Sequence, residues 1–383
     1  MSSEKSMDDE WNGKLPNAAH WTNEGIVDTD YDIFLRPSGK LNAVMIFVDF
    51  PNALSTEAEE GYRDTKPYFD WFSPATENWY SNSSFGALQL IITPIHRWFH
   101  MSRIDADYGF ERGLTFDKHA EYVSEAVKLA AEEVDFALYD LVYIVPSKNA
   151  TAITFSPAYI DQSKQRIVVN GTAVVYGATI GQDMWRWGYK VLVHETSHTF
   201  GLPDLYAFEA KGTSLDIHYY VGGWDVMGDI SGHASEHLGW HKWKLGWLKD
   251  NQVDVIHSRG TTNHVLTPIE LPDNETKLIV IRIGETSAYV VESRRSLNND
   301  INALDQGVLI YIVNSGIETG YGPIQIVSPI PGDLPETRTS MNNACFGKKS
   351  GKVSTFSDPN QGIEVNVLRH SQQGDYIEVK KWH

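Results

Sequence analysis

HETSHTFGLPDLY, residues 194 to 206, sets two histidines and a glutamate after an apolar run and adds a glycine, a proline and an aspartate behind them. On a helix, His194 and His198 stand at i and i+4, one turn apart on one face, so both imidazoles can reach a single ion. Val191, Leu192 and Val193 precede them and supply a buried side that keeps the helix rigid. Glu195 projects about 100° away from His194. It is placed to take a proton from a metal-bound water, not to ligate. Gly201 can adopt positive φ, stopping the helix and turning the chain, and Pro203 stiffens the next few residues. The turn lets Asp204 swing back as a third ligand. Two imidazoles and one carboxylate leave a fourth position for water, the pattern of a catalytic zinc site.

Working outward, Asp183 is the expected cap of a helix running through MWRWGYKVLVHETSHTF (184–200). Upstream, 41–50, 88–99 and 138–147 read as strands, with Pro94 marking an edge or bulge. Residues 67–82 and 117–134 read as helices, the second capped by Asp117. Residues 166–178 suit one strand or a hairpin pivoting on Asn170-Gly171. Beyond residue 250 the texture changes to short, turn-bounded apolar segments at 277–283, 287–293, 307–314, 362–370 and 375–382. These suggest an antiparallel β module. Eleven of the twelve tryptophans lie before residue 250, which supports a boundary near 250–262. The expected organisation is an N-terminal extension (1–40), a catalytic domain (41–255) and a β-rich, sandwich-like C-terminal domain (256–383). The fold class is α+β.

The string at 194–206, GGWDVMGDISG (222–232) and HLGWHKWKLGWL (237–248) together resemble the M6 family of metallopeptidases, the immune inhibitor A group. The segment 287–314 is similar to the stretch just after the catalytic region in that family, and the resemblance covers roughly residues 40–315. It implies a metzincin-type catalytic domain: a twisted sheet, an active-site helix and a long zinc motif with aspartate in place of the usual third histidine. Met227 matches the methionine turn that would lie beneath the metal. The implied activity is zinc-dependent endopeptidase cleavage of protein or peptide substrates, with one Zn²⁺ on His194, His198 and Asp204 and with Glu195 as general base and acid. Calcium is compatible with this reading, but no residue pattern points to it. Many relatives carry an inhibitory propeptide, and no such region is evident in this sequence.

Composition narrows the partners. A formal charge of −18 argues against nucleic acid and anionic membranes, which need basic patches. No apolar run approaches the ~20 residues of a membrane span. No signal peptide is visible in MSSEKSMDDEWNGK, so a secreted location rests on the family resemblance, with weak support from N-x-S/T triplets at Asn82, Asn149, Asn170 and Asn274. A monomer is the expected state. Cys345 stands alone and can form no internal disulfide.

Plainer readings stand beside these. Asp204 could simply cap a turn, in which case Glu236 is the next choice of ligand. HASEH (233–237) is itself a reversed zinc motif. There His233, His237 and His241 would line one helical face, but the loop ahead of it favours a helix packed beside the site, with His237 near substrate. Tyr206, Tyr219 and Tyr220 are candidates for an oxyanion-stabilising phenol, although packing is the plainer role for each. Trp224 reads as core. Two other functional classes fit the residues: a catalytically inactive binding protein that keeps the fold, and a peptidase restricted to glycosylated proteins.

Overall fold

The apolar run at 41–50 forms strand β1 (Gly39–Asp49), buried continuously from Ala43 onward, as a strand flanked by parallel neighbours and covered on both faces must be. The computed structural model describes residues 11–17, 22–27, 29–110, 113–330, 332, 341–347 and 351–383. The first ten residues of the expected 1–40 extension lie outside the described residues. The chain is a mixed α+β protein with several sheets. Among the described residues no helix is long and apolar enough to cross a membrane. Its contacts divide the chain into two compact units, Asp30–Gly201 and a discontinuous one made of Met1–Thr29 with Leu202–His383. These units part at 29/30 and 201/202, at other points than the change of texture near 250–262.

The Asp30–Gly201 unit holds a five-stranded sheet in the order β2 (Leu88–His100), β1, β3 (Leu141–Pro146), β7 (Tyr176–Thr179), β4 (Ala158–Ile160). The first four strands are parallel, and β4 runs antiparallel along the edge. Pro94 lies in the opposite edge strand, where pairing slips between Met45↔Pro94 and Phe47↔Trp98. Strands β5 (Val168–Val169) and β6 (Thr172–Ala173) make the expected hairpin, with Asn170 and Gly171 at φ 51° and 83°.

Alternate residues of β1 serve two cores. Val44, Ile46 and Val48 pack with Tyr122, Val123 and Val127 of helix α3 (Phe116–Ala130). Phe47 points the other way, to Tyr68 on α1 (Lys66–Phe72). The helix expected over 67–82 is two helices, α1 and α2 (Ala75–Ser83), broken at Ser73-Pro74, where proline supplies no N–H to continue the ladder. Thr115, not Asp117, caps α3, because its side chain accepts from the Lys118 N–H. Asp117 falls in the first turn, where negative charge still suits the helix dipole.

The expected helix from Asp183 is likewise two, α4 (Met184–Trp187) and α5 (Tyr189–Thr199), parted by Gly188 at φ 62°. Asp183 makes no capping bond. Its carboxylate instead accepts from the Ser156 N–H and hydroxyl.

In the second unit, β8 (Val253–Ile256), β10 (Leu278–Arg282), β11 (Ser287–Arg294), β12 (Gly307–Asn314) and β13 (Ile324–Ile326) form one sheet. A second sheet contains β9 (Gly260–Leu266), β14 (Thr355–Asp358), β15 (Ile363–Ser371) and β16 (Gly374–Lys381). Ile279, Ile281, Val291 and Ile310 of the first share one core with Val365, Val367, Ile377 and Val379 of the second, so the sheets form a sandwich. The first sheet departs from the antiparallel expectation, because β8 pairs with β10 in parallel. Beside the sandwich lies the short helix α6 (Gly239–Lys244). Arg294 is fully buried with Asp300, Glu292 and Glu270 around its guanidinium.

Helix α5 is tied to its unit by two buried phenols. The Tyr80 hydroxyl on α2 donates to the Val193 carbonyl at 2.7 Å and meets the Ser197 hydroxyl at 2.9 Å. Tyr143 of β3 meets the Thr196 hydroxyl at 2.9 Å. Tyr80→Phe keeps the ring and deletes the hydroxyl. It is expected to cost about 1 kcal/mol in urea denaturation; an unchanged midpoint would mean that the hydroxyl does not hold the helix.

Candidate metal centre

Buried apolar residues on α5 settle which way its histidines face. Val191, Leu192 and Val193 are fully buried, and with the two phenols they fix the helix's rotation about its axis. His194 and Glu195 are buried and His198 is half-buried. The Nε2 atoms of His194 and His198 stand 3.2 Å apart, with the rings edge-on at 90°. Each neutral ring carries a single N–H and one bare lone pair, so two nitrogens this close must share a proton or a cation between them. Gly201 ends the helical segment at φ 93°. A Cβ there would also press on the Phe34 ring at 3.0–3.3 Å, so both backbone conformation and space call for glycine.

Asp204, three residues past the boundary, belongs to the second unit and is half-buried. Met227 in that unit is fully buried, and its carbonyl accepts from the Leu205 N–H at 2.9 Å. Glu236 is engaged elsewhere: its carboxylate accepts from the His237 N–H and the Asn299 amide and faces the Lys242 ammonium at 3.3 Å. Tyr219 and Tyr220 donate to Glu209 and are tilted against one another; Tyr206 is half-buried beside Phe208. Trp224 is buried, as expected, and so is Cys345.

The HASEH segment forms neither the rival helical face of histidines nor a helix of its own. His233 is exposed, His237 precedes the helix, and only His241 lies within α6. The loop before it supplies no earlier turn for a helix to extend. His237 is fully buried, not displayed to substrate.

Asp225, His237 and His241 nevertheless group their potential ligand atoms within 4.8 Å, all fully buried. Their bonding points to protons as the occupants. Asp225 accepts from the backbone N–H groups of Met227 and Leu238, each at 2.8 Å, and faces His237 Nδ1 at 3.1 Å and His241 Nδ1 at 2.7 Å. Four donors saturate a carboxylate. On its far side His241 Nε2 meets Glu24 at 3.1 Å, while Trp240 and Lys244 donate to the carbonyls of Glu24 and Gly25.

Burial opposes charge on His241, but the Asp225 and Glu24 carboxylates on its two sides outweigh it and push the ring up to about 10. Burial lowers His237, so it stays neutral, and burial brings Lys244 down to about 8. Sequence reasoning does not find this cluster as a unit. The sequence pairs His237 with His241, but nothing in it joins them to Asp225 or to Glu24, which lies some two hundred residues away.

No protein-family model matches the chain, and a search of the curated proteins finds no match.

The cluster sets a pH dependence. His241 binds its proton more tightly folded than unfolded, so its contribution is complete below 6.5 and is lost as pH rises toward about 10. Lys244 works in the opposite sense only above about 8. Between pH 6.5 and 8, unfolding free energy should therefore decline with pH, and His241→Gln should flatten that slope. Denaturant titrations across this range provide the check; a wild-type profile that rises with pH would contradict the assignment.

Proposed function

We propose that the chain is a zinc-dependent endopeptidase whose metal is held by His194, His198 and Asp204, with a metzincin-like catalytic arrangement. The observation that carries this reading is the 3.2 Å separation of the two imidazole nitrogens. Two nitrogens bound tetrahedrally at ~2.0–2.1 Å from one zinc would stand about 3.3–3.4 Å apart. Two imidazoles and a carboxylate are also the donor set that zinc accepts when one position is kept for a reactant. The chain delivers Asp204 six residues after His198, past a glycine bend at positive φ. When bound, the ion supplies Lewis-acid polarisation of a carbonyl and a water acidic enough to act near neutral pH.

The chain's own groups do the rest. Glu195 neighbours His194 on a helix whose rotation is fixed, and it is the residue that would serve as general base toward a nucleophilic water and as general acid toward the departing amine. The short edge strand β4 offers backbone groups to which an extended peptide can add as a further strand. Met227 fits an apolar floor for the site. An extracellular location belongs to the same reading and rests on the family resemblance, with weak support from the N-x-S/T triplets.

Glu195→Gln should retain zinc while kcat falls by a factor of a thousand or more, on the order expected when a general base is lost from a hydrolytic centre. Casein and a panel of glycoproteins serve as substrates, with zinc counted in the same preparation. Wild-type turnover in the variant would overturn the proton role. Zinc-loaded wild type that cuts neither substrate set would favour a non-catalytic binding protein.

A further inference from the structure

Asp204 is more tightly held than a loop residue needs to be. Its N–H donates to the Thr319 hydroxyl at 2.9 Å, and its carbonyl accepts from the Gly320 N–H at 3.0 Å. The next N–H, that of Leu205, bonds the Met227 carbonyl, and the Phe208 N–H returns to the Gly320 carbonyl at 2.8 Å. The peptide groups on both sides of residue 204 are therefore fixed, leaving its carboxylate only side-chain rotations.

The partners come from the turn between β12 and β13, more than a hundred residues downstream. That turn is itself constrained. Gly320 has φ 76°, and a Cβ there would lie 2.3–2.5 Å from the Phe208 ring. Gly322 has φ 80°, with the Tyr220 ring 2.6 Å from where a Cβ would stand. The Ile326 N–H of β13 bonds the Tyr220 carbonyl, so the 204–220 segment and the hairpin are joined along their length.

We propose that the Thr319–Gly320 turn of the β-sandwich is the positioning device for Asp204, holding its backbone so that its carboxylate is preset for metal. This inference rests on the zinc reading above and assigns the β-rich region a part in it. Thr319 is a positioning residue: it acts through the Asp204 amide and touches no reactant. Supporting groups of this kind typically change metal affinity ten- to a hundredfold when removed.

The test compares Thr319→Val, close in shape but unable to accept the N–H, with Thr319→Ser, which keeps the hydroxyl. Zinc affinity of the full-length chain is measured by competition with a chromophoric chelator, alongside urea denaturation. Thr319→Val is expected to weaken zinc binding about tenfold, and Thr319→Ser to restore it. Gly320→Ala, which forces the turn off the Phe208 ring, should weaken it at least as much. A Val variant that binds zinc as tightly as wild type would overturn the inference, even if it were less stable, because a purely structural role changes stability alone. Equal losses in the Val and Ser variants would overturn it too. Wild-type protein that takes up no zinc would instead sink the functional reading on which it rests.

Discussion

Two imidazole nitrogens stand 3.2 Å apart on one helical turn, and the packing of the Asp30–Gly201 unit around α5 fixes that helix. Left alone, such a pair would rotate apart or share a proton. Here the helix that carries it is short, fully buried along Val191–Val193, and gripped by hydroxyls from α2 and β3. The parallel sheet gives that grip its rigidity, because β1 and β3 are covered on both faces and cannot shift without exposing core. The residues that keep α5 from turning therefore also keep the His194 and His198 rings edge-on to one another.

The second unit is organised on a different principle. Its sandwich has an ordinary apolar core, but the region around α6 is built from buried charges. Asp225 collects four donors, His241 is clasped between two carboxylates, and Glu24 is brought in from the start of the chain to complete the cluster. Buried ions of this sort are costly unless paired, so the Glu24–His241 contact ties the N-terminal segment to its unit. The same unit presents Asp204 on a backbone pinned by the β12–β13 turn. The β-rich region read at 256–383 thus bonds the backbone of a residue central to the proposed chemistry.

Local patterns read well in the sequence. The strands of both regions, the Asn170-Gly171 hairpin, the edge position of Pro94 and the positive φ of Gly201 all follow from side-chain alternation and turn chemistry, and each is present. Departures arise where a neighbour distant in sequence competes for a residue. Asp183 reads as a helix cap, but Ser156 claims its carboxylate. His237 reads as a residue near substrate, but it is buried against Asp225. Glu236 reads as a reserve ligand, but Lys242 and Asn299 occupy it. Gly188 breaks the motif helix because its backbone adopts positive φ, a choice that a pattern of apolar residues does not reveal. The phenols of Tyr80 and Tyr143, and Thr319, carry no local signal at all, since their roles exist only once the chain has folded.

The proposed chemistry requires one zinc ion between the imidazoles of His194 and His198. X-ray absorption at the zinc edge of the purified, metal-replete chain addresses it most directly. The expected result is one zinc per chain, nitrogen and oxygen neighbours only, and the multiple-scattering pattern of two imidazoles that disappears in His198→Ala. A chain that holds no zinc, or whose zinc spectrum is unaltered by that substitution, would contradict it.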